Sequence, residues 1–157
     1  MGGRLLGIAR HAMPRGPMEV LGHVRVTPET GLAGDFRGAM KPGRNRRQVS
    51  LMEHESWQAA LTDLACDGRS TADLDWWQRR ANLLVGGVRL PRVAGGKVRI
   101  GADVLIEVTM ECDPCSRMEE IRPGLKAALG PDWRGGVLGI VLAGGEIAVG
   151  DEIRIEE

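Results

Sequence analysis

The chain has 157 residues and equal numbers of basic and acidic side chains, 21 of each, so its formal charge at neutral pH is zero. That balance excludes a global basic footprint for nucleic acid or a membrane surface and leaves any partner argument to local clusters. The length fits a single domain over 1–157, and no apolar run approaches the roughly 20 residues of a transmembrane helix, so a soluble, cytoplasmic protein is expected.

Leu5 to Arg10 and Val20 to Val26 read as short strands, separated by a Pro- and Gly-bearing loop, His11 to Pro17, that could face a ligand. A flexible segment is expected from Gly31 through Gly34-Asp35 to Lys41-Pro42-Gly43 and Arg47, with a strand resuming at Gln48 to Met52. Ser50 and Glu53 stand at capping-box spacing, and Trp57, Ala60, Leu61, Leu64 and Ala65 share one face at helical period, which predicts a helix. Asp73 to Arg80 suggests a second short helix, and Asn82 to Val85 a buried strand ending at Gly86-Gly87.

Val98 to Ile100 and Val104 to Val108 flank Gly101-Ala102-Asp103 as a hairpin. Met118, Ile121, Leu125, Ala128 and Leu129 make a helical stripe that Pro123 should break. Val137 to Leu142, Gly145 to Val149 and Glu152 to Ile155 complete a closing β run with turns at Gly144-Gly145 and Gly150-Asp151. Many short strands with two or three helices predict a mainly β (α+β) fold, a β-barrel with a few short peripheral helices.

The chemistry concentrates in Glu111-Cys112-Asp113-Pro114-Cys115-Ser116-Arg117-Met118 and the later Arg134-Gly135-Gly136. Three cysteines in a chain this long argue against a disulfide scaffold. Cys112 and Cys115 form Cys-x-x-Cys, but no second paired ligand spacing accompanies it for zinc, and no βαβ context for a thioredoxin-like role. Pro114 constrains the loop before Cys115, and a helix starting after it, with Arg117 nearby, favours a reactive thiolate. Cys112 is then a structural neighbour or a resolving thiol.

Arg44, Arg46 and Arg47 beside a glycine-bearing loop, Arg79, Arg80 and Asn82, and Arg134-Gly135-Gly136 could form three walls of a basic pocket suited to phosphate. Gly34-Asp35 reads as a turn. The histidines, His11, His23 and His54, could bind metal or move protons but have no informative spacing. Trp133 and the other tryptophans read as core or pocket walls rather than a nucleic-acid stacking array.

Gly31-Leu32-Ala33-Gly34-Asp35, Arg47-Gln48-Val49-Ser50-Leu51, Asn82-Leu83, Val98 to Gly101, Pro114-Cys115, Arg134-Gly135-Gly136 and Gly150-Asp151, in that order, resemble the MOSC domain family, the molybdenum cofactor sulfurase C-terminal domain, in its standalone form. The resemblance implies a β-barrel fold and a pocket for the molybdenum cofactor (molybdopterin). It implies Cys115 as catalytic residue and molybdenum ligand, or as a sulfur-bearing thiol, and Arg46, Arg47, Arg80, Asn82, Arg117, Arg134, Gly135 and Gly136 as cofactor-binding residues. It further implies an oxidoreductase reducing N-hydroxylated small molecules, or a noncatalytic sulfur or cofactor carrier, supplied by an external electron or sulfur donor. A soft thiolate suits a redox metal, while arginines and loop amides suit its phosphate.

Overall fold

A computed structural model describes residues 2–41 and 43–156; Pro42, expected in the flexible segment, lies outside the described residues. The strands are β1 (Gly3–Arg10), β2 (Glu19–Leu21), β3 (His23–Thr27), β4 (Gly31–Leu32), β5 (Val49–Glu53), β6 (Leu83–Gly86), β7 (Lys97–Ile100), β8 (Val104–Glu111), β9 (Val137–Ala143), β10 (Gly145–Ala148) and β11 (Glu152–Glu156). The helices are α1 (His54–Cys66), α2 (Ser116–Ile121) and α3 (Leu125–Ala128), joined by short 3-10 turns at Trp76–Arg79 and Pro131–Trp133.

Eight strands pair in the order β11-β7-β8-β9-β5-β6-β1-β2, and β1 also pairs with β11. Seven strands therefore close into a barrel, with β2 added to the end of β1. The expected β-barrel with short helices is the fold observed. Strand alternation fills the interior: Val98 and Ile100, Val104, Ile106 and Val108, and Ile153 point inward with Leu5, Ile8, Leu51 and Leu83. Truncating one of these, such as Ile106→Ala, costs about 2–5 kcal/mol.

The β5–β6 pair, the parallel one, is buried on both faces, as parallel pairs commonly are. Leu51 and Leu83 enter the barrel, while Met52 and Leu84 meet Trp57, Ala60 and Leu64 of α1, Met118 of α2 and Leu125 of α3. This helical layer lies against the outer wall of the barrel. By the same alternation Ser50 shares the Met52 face, and Asn82 the Leu84 face.

Several expectations need correction. The run Val20 to Val26 is not one strand: Gly22 divides it into β2, in the barrel sheet, and β3, which pairs with β10 and β4 in a second sheet. The segment from Gly31 begins with β4 rather than irregular chain. Ser50 caps nothing, because it lies inside β5 and α1 starts after Glu53. Glu53 instead accepts hydrogen bonds from the Ser56 hydroxyl at 3.0 Å, the Leu90 amide at 2.7 Å and the Arg92 guanidinium. Ala65 is exposed, so the buried face of α1 is narrower than its apolar pattern. Gly145 belongs to β10 rather than to the preceding turn. Pro123 does separate two helical pieces, α2 and α3.

Candidate functional site

A cleft of about 370 Å3 opens on the outer barrel wall, where the ends of β1 and β8 and the beginnings of β5 and β6 meet the edge of the helical layer. Its volume falls in the range of roughly 300–1,000 Å3 usual for small-molecule sites. Six arginines line it, Arg15, Arg37, Arg47, Arg79, Arg80 and Arg117, against two carboxylates, Asp35 and Asp113. Cys112 and Cys115 both face it.

Asn82 builds the floor. Its carboxamide nitrogen donates to the Ala9 carbonyl at 3.1 Å, and its Oδ1 accepts from the Ser50 amide at 3.0 Å. The Asn82 amide in turn donates to the Ser50 hydroxyl at 2.9 Å. One buried side chain thus joins β1, β5 and the entry to β6, and Asn82 lines the cleft chiefly as the tie that shapes it. The sequence gives no signal for Ser50 as its partner, since the pair is 32 residues apart.

The Trp76–Arg79 turn ends at Arg80, a non-glycine residue in the left-handed region with φ 70°. Such a conformation costs on the order of 1–3 kcal/mol and persists where the surroundings impose it. It brings Arg80 to the cleft with Nη2 buried and without a hydrogen-bond partner among the described residues. Burial, then Arg117, then Arg37, hold this guanidinium below its ordinary range. The three cations repel one another at a partly desolvated site, which an anion would relieve.

Arg79 is 7 % exposed and has no carboxylate partner among the described residues. Its Nη2 donates to the Cys112 carbonyl at 3.1 Å, to Cys112 Sγ at 2.9 Å and to the Gly135 carbonyl at 2.9 Å. Cys112 is therefore the buried neighbour, fixed from below, whereas Cys115 is exposed and directly precedes α2. Cys66, the third cysteine, is exposed at the end of α1.

The Arg134-Gly135-Gly136 segment lies behind the lining. Gly136 has φ 95°, and a Cβ there would meet the Leu51 carbonyl oxygen at 2.1 Å; one on Gly135 would meet the Cys112 carbonyl oxygen at 2.4 Å. The paired glycines let this turn press against β5 and the cysteine loop at once. Arg134 reaches Asp63 of α1 at 2.6 Å and the Ala128 carbonyl at 2.9 Å, so its side chain ties the helical layer.

Of the residues singled out from sequence, Arg47, Arg80, Asn82, Cys115 and Arg117 come together around the cleft. Arg46, Arg134, Gly135 and Gly136 are outside its lining, and the Arg46 carbonyl accepts a hydrogen bond from the Thr109 hydroxyl. His11 and Asp35 carry more than their sequence context indicates. Asp35 does shape a turn, its carboxylate accepting the Gly38 amide at 3.1 Å, but it also accepts the His11 amide at 3.1 Å and faces the cleft. Arg15 comes from the His11 to Pro17 loop, expected to face a ligand, and Arg37 is a further lining residue not singled out from sequence.

The cleft fits a phosphorylated cofactor that also binds through sulfur. Its six arginines outnumber its two carboxylates and form no ion pair among the described residues, Arg80 presents a buried unpartnered donor, and one thiol is accessible. No group of three His, Cys, Asp or Glu side chains arranged for a metal occurs among the described residues, so any protein-held metal would depend on few protein ligands. No described helix is long and apolar enough to cross a membrane.

Comparison with known proteins bears on the fold and the family. The chain is similar in structure to the YuaD protein from Bacillus subtilis, with a TM-score of 0.75 at 19% identity over 99% of this chain and 96% of that one. It is similar to YiiM from Escherichia coli, with a TM-score of 0.68 at 18% identity over 98% of this chain and 70% of that one. YiiM from Geobacillus stearothermophilus gives a TM-score of 0.60 at 16% identity, covering 99% and 73% of the two chains. No curated protein matches the sequence. A family model for the MOSC domain matches residues 39–154. With that match running from before β5 into β11 and including the cysteine loop, the chain belongs to the MOSC domain family, a family associated with the molybdenum cofactor.

Proposed function

We propose that this protein binds the molybdenum cofactor in the arginine-lined cleft and acts as an oxidoreductase on N-hydroxylated small molecules. The observation that carries the reading is the concentration of six cleft arginines, none in an ion pair with a carboxylate among the described residues, around an exposed thiol. In this reading Arg80, Arg117 and Arg47 hold the cofactor phosphate, and Cys115 is the protein ligand to molybdenum. Arg79 and the two glycines keep the Cys112 to Cys115 loop in place. When bound, the cofactor supplies two-electron metal chemistry that no side chain here can perform.

Reduction of an N-hydroxylated compound consumes two electrons and two protons and releases water. An external donor supplies the electrons. The cleft walls orient the substrate and limit water, which strengthens the arginine–anion contacts.

Purification under reducing, anaerobic conditions followed by molybdenum and pterin analysis tests the reading. The expected result is both components in equal amounts with the protein, or after reconstitution. Neither component, with no uptake on reconstitution, overturns it.

The exposure of the Cys115 thiol also favours a second reading, a sulfur or cofactor carrier. A persulfide on Cys115 passing labelled sulfur to an acceptor, with no donor-supported reduction, would select the carrier.

A further inference from the structure

The cleft contains one imidazole, and the proposed reaction gives it no role. His11 follows β1, is 8 % exposed, and lines the cleft with its Nδ1 buried and without a hydrogen-bond partner among the described residues. Asp35 Oδ1 stands 3.7 Å from that nitrogen, beyond a hydrogen bond but close enough to attract a protonated ring. The Asp35 carboxylate is held in place by hydrogen bonds from the amides of His11 and Gly38. A counter-ion for an imidazolium is therefore built in.

What opposes protonation is equally local. Burial acts first against the charged ring; Asp35 favours it, and Arg80, Arg37 and Arg117 oppose it, with the balance holding His11 below its ordinary range. Arg79, Arg15, Arg47, Asp113, Cys112 and Cys115 are the remaining ionisable groups around the cleft. The arginines add positive potential and Asp113 subtracts some. An anion seated among Arg80, Arg37 and Arg117 would offset the repulsion these arginines exert on an imidazolium, leaving burial alone to oppose the charge that Asp35 favours.

We propose that His11 is the proton-uptake site of the cleft: binding of a doubly charged oxyanion, such as a phosphate monoester, draws one proton from solvent onto the His11 imidazole, which then pairs with Asp35. The inference rests on the anion-binding part of the proposed function and not on molybdenum. Its consequence for that function is a proton stored beside a reaction that consumes two.

Sulfate is the suitable probe, because it stays doubly charged across the range where histidine titrates, so any pH dependence belongs to the protein. The imidazole signals of the 15N-labelled full chain are followed between about pH 5 and 8, with and without saturating sulfate. The His11 midpoint should lie below 6.5 without sulfate and rise by about one unit with it. By linkage, sulfate should then bind about tenfold more tightly at the acid end than at the alkaline end. In His11→Gln the affinity should lose this pH dependence, and in Arg80→Gln the sulfate-induced rise should shrink. The wild-type titration decides the matter even if a variant fails to fold. Absence of sulfate binding, or bound sulfate with an unmoved His11 midpoint, overturns the proposal. Failure to load molybdenum cofactor beside an intact sulfate response would sink the cofactor reading alone.

Discussion

Arginines in this protein live in two different environments. Around the barrel exterior and helical layer many are paired: Arg25 with Glu146, Arg89 with Asp132, Arg92 with Glu53, Arg99 with Glu156, Arg122 with Asp73 and Arg134 with Asp63. Around the cleft, six arginines share two carboxylates and form no ion pair with a carboxylate among the described residues. A net charge of zero therefore conceals a strongly cationic site. The first group connects elements of the fold, and the second is available to a ligand; equal residue types have different work because of where the acids fall.

The comparison breaks most sharply at Glu53. Replacing it with Gln removes the nearer counter-charge of part-buried Arg92, which keeps only Asp132 at 3.6 Å, and should destabilise the protein by about 1–3 kcal/mol in denaturant unfolding. Anion affinity should be unchanged, because Glu53 does not line the cleft. Asn82→Leu should cost about 2–4 kcal/mol, since the Ser50 amide and Ala9 carbonyl would lose their side-chain partner. Preserved stability in that variant would show that Asn82 is not the tie described.

Arg80→Gln should do the reverse of Glu53→Gln. It removes a crowded cation, so stability should hold or rise slightly, while sulfate or cofactor affinity should fall roughly 10- to 100-fold, the loss of a charge-assisted contact. Calorimetric binding alongside thermal unfolding checks both halves. A drop in stability with unchanged affinity would place Arg80 with the paired, structural arginines.

The smallest effect is in pH dependence. His11 has a lowered folded value, so the unfolded chain binds the proton first, and stability should decline as pH falls below 6.5 until the folded value is passed. For Glu53 burial alone would raise its value, but Arg92, the Leu90 amide and Ser56 bring it below 4.5. Its contribution is present above 4.5 and lost as pH falls through the lower folded value. Unfolding curves across acid pH should show an earlier decline that His11→Gln removes and a later one that Glu53→Gln removes.

Local signals in the sequence were sufficient for much of the barrel. Alternation located the strands of the β7–β8 hairpin and the closing β run, and Pro123 located the break between α2 and α3. The focus on Cys115 came from Pro114 and Arg117 beside it together with the family resemblance. What escaped was long-range: Asp35 meets His11 24 residues away, and Ser50 meets Asn82 32 residues away, so neither partner carries a local mark. Glu53 resembled half of a capping box because the spacing to Ser50 is right, yet its real partners, Leu90 and Arg92, arrive from a distant loop. Arg134-Gly135-Gly136 reads naturally as an anion loop. Its glycines are needed instead for close backbone approach behind the cysteine loop.

The central claim is that the exposed thiol in this cationic cleft is a molybdenum ligand. X-ray absorption at the molybdenum edge, on the reconstituted protein and on Cys115→Ser, tests it most directly. The expected result is a molybdenum centre in the wild type with one more sulfur neighbour than in the variant. Equal sulfur coordination in the two proteins, or no molybdenum retained by the wild type, would contradict it.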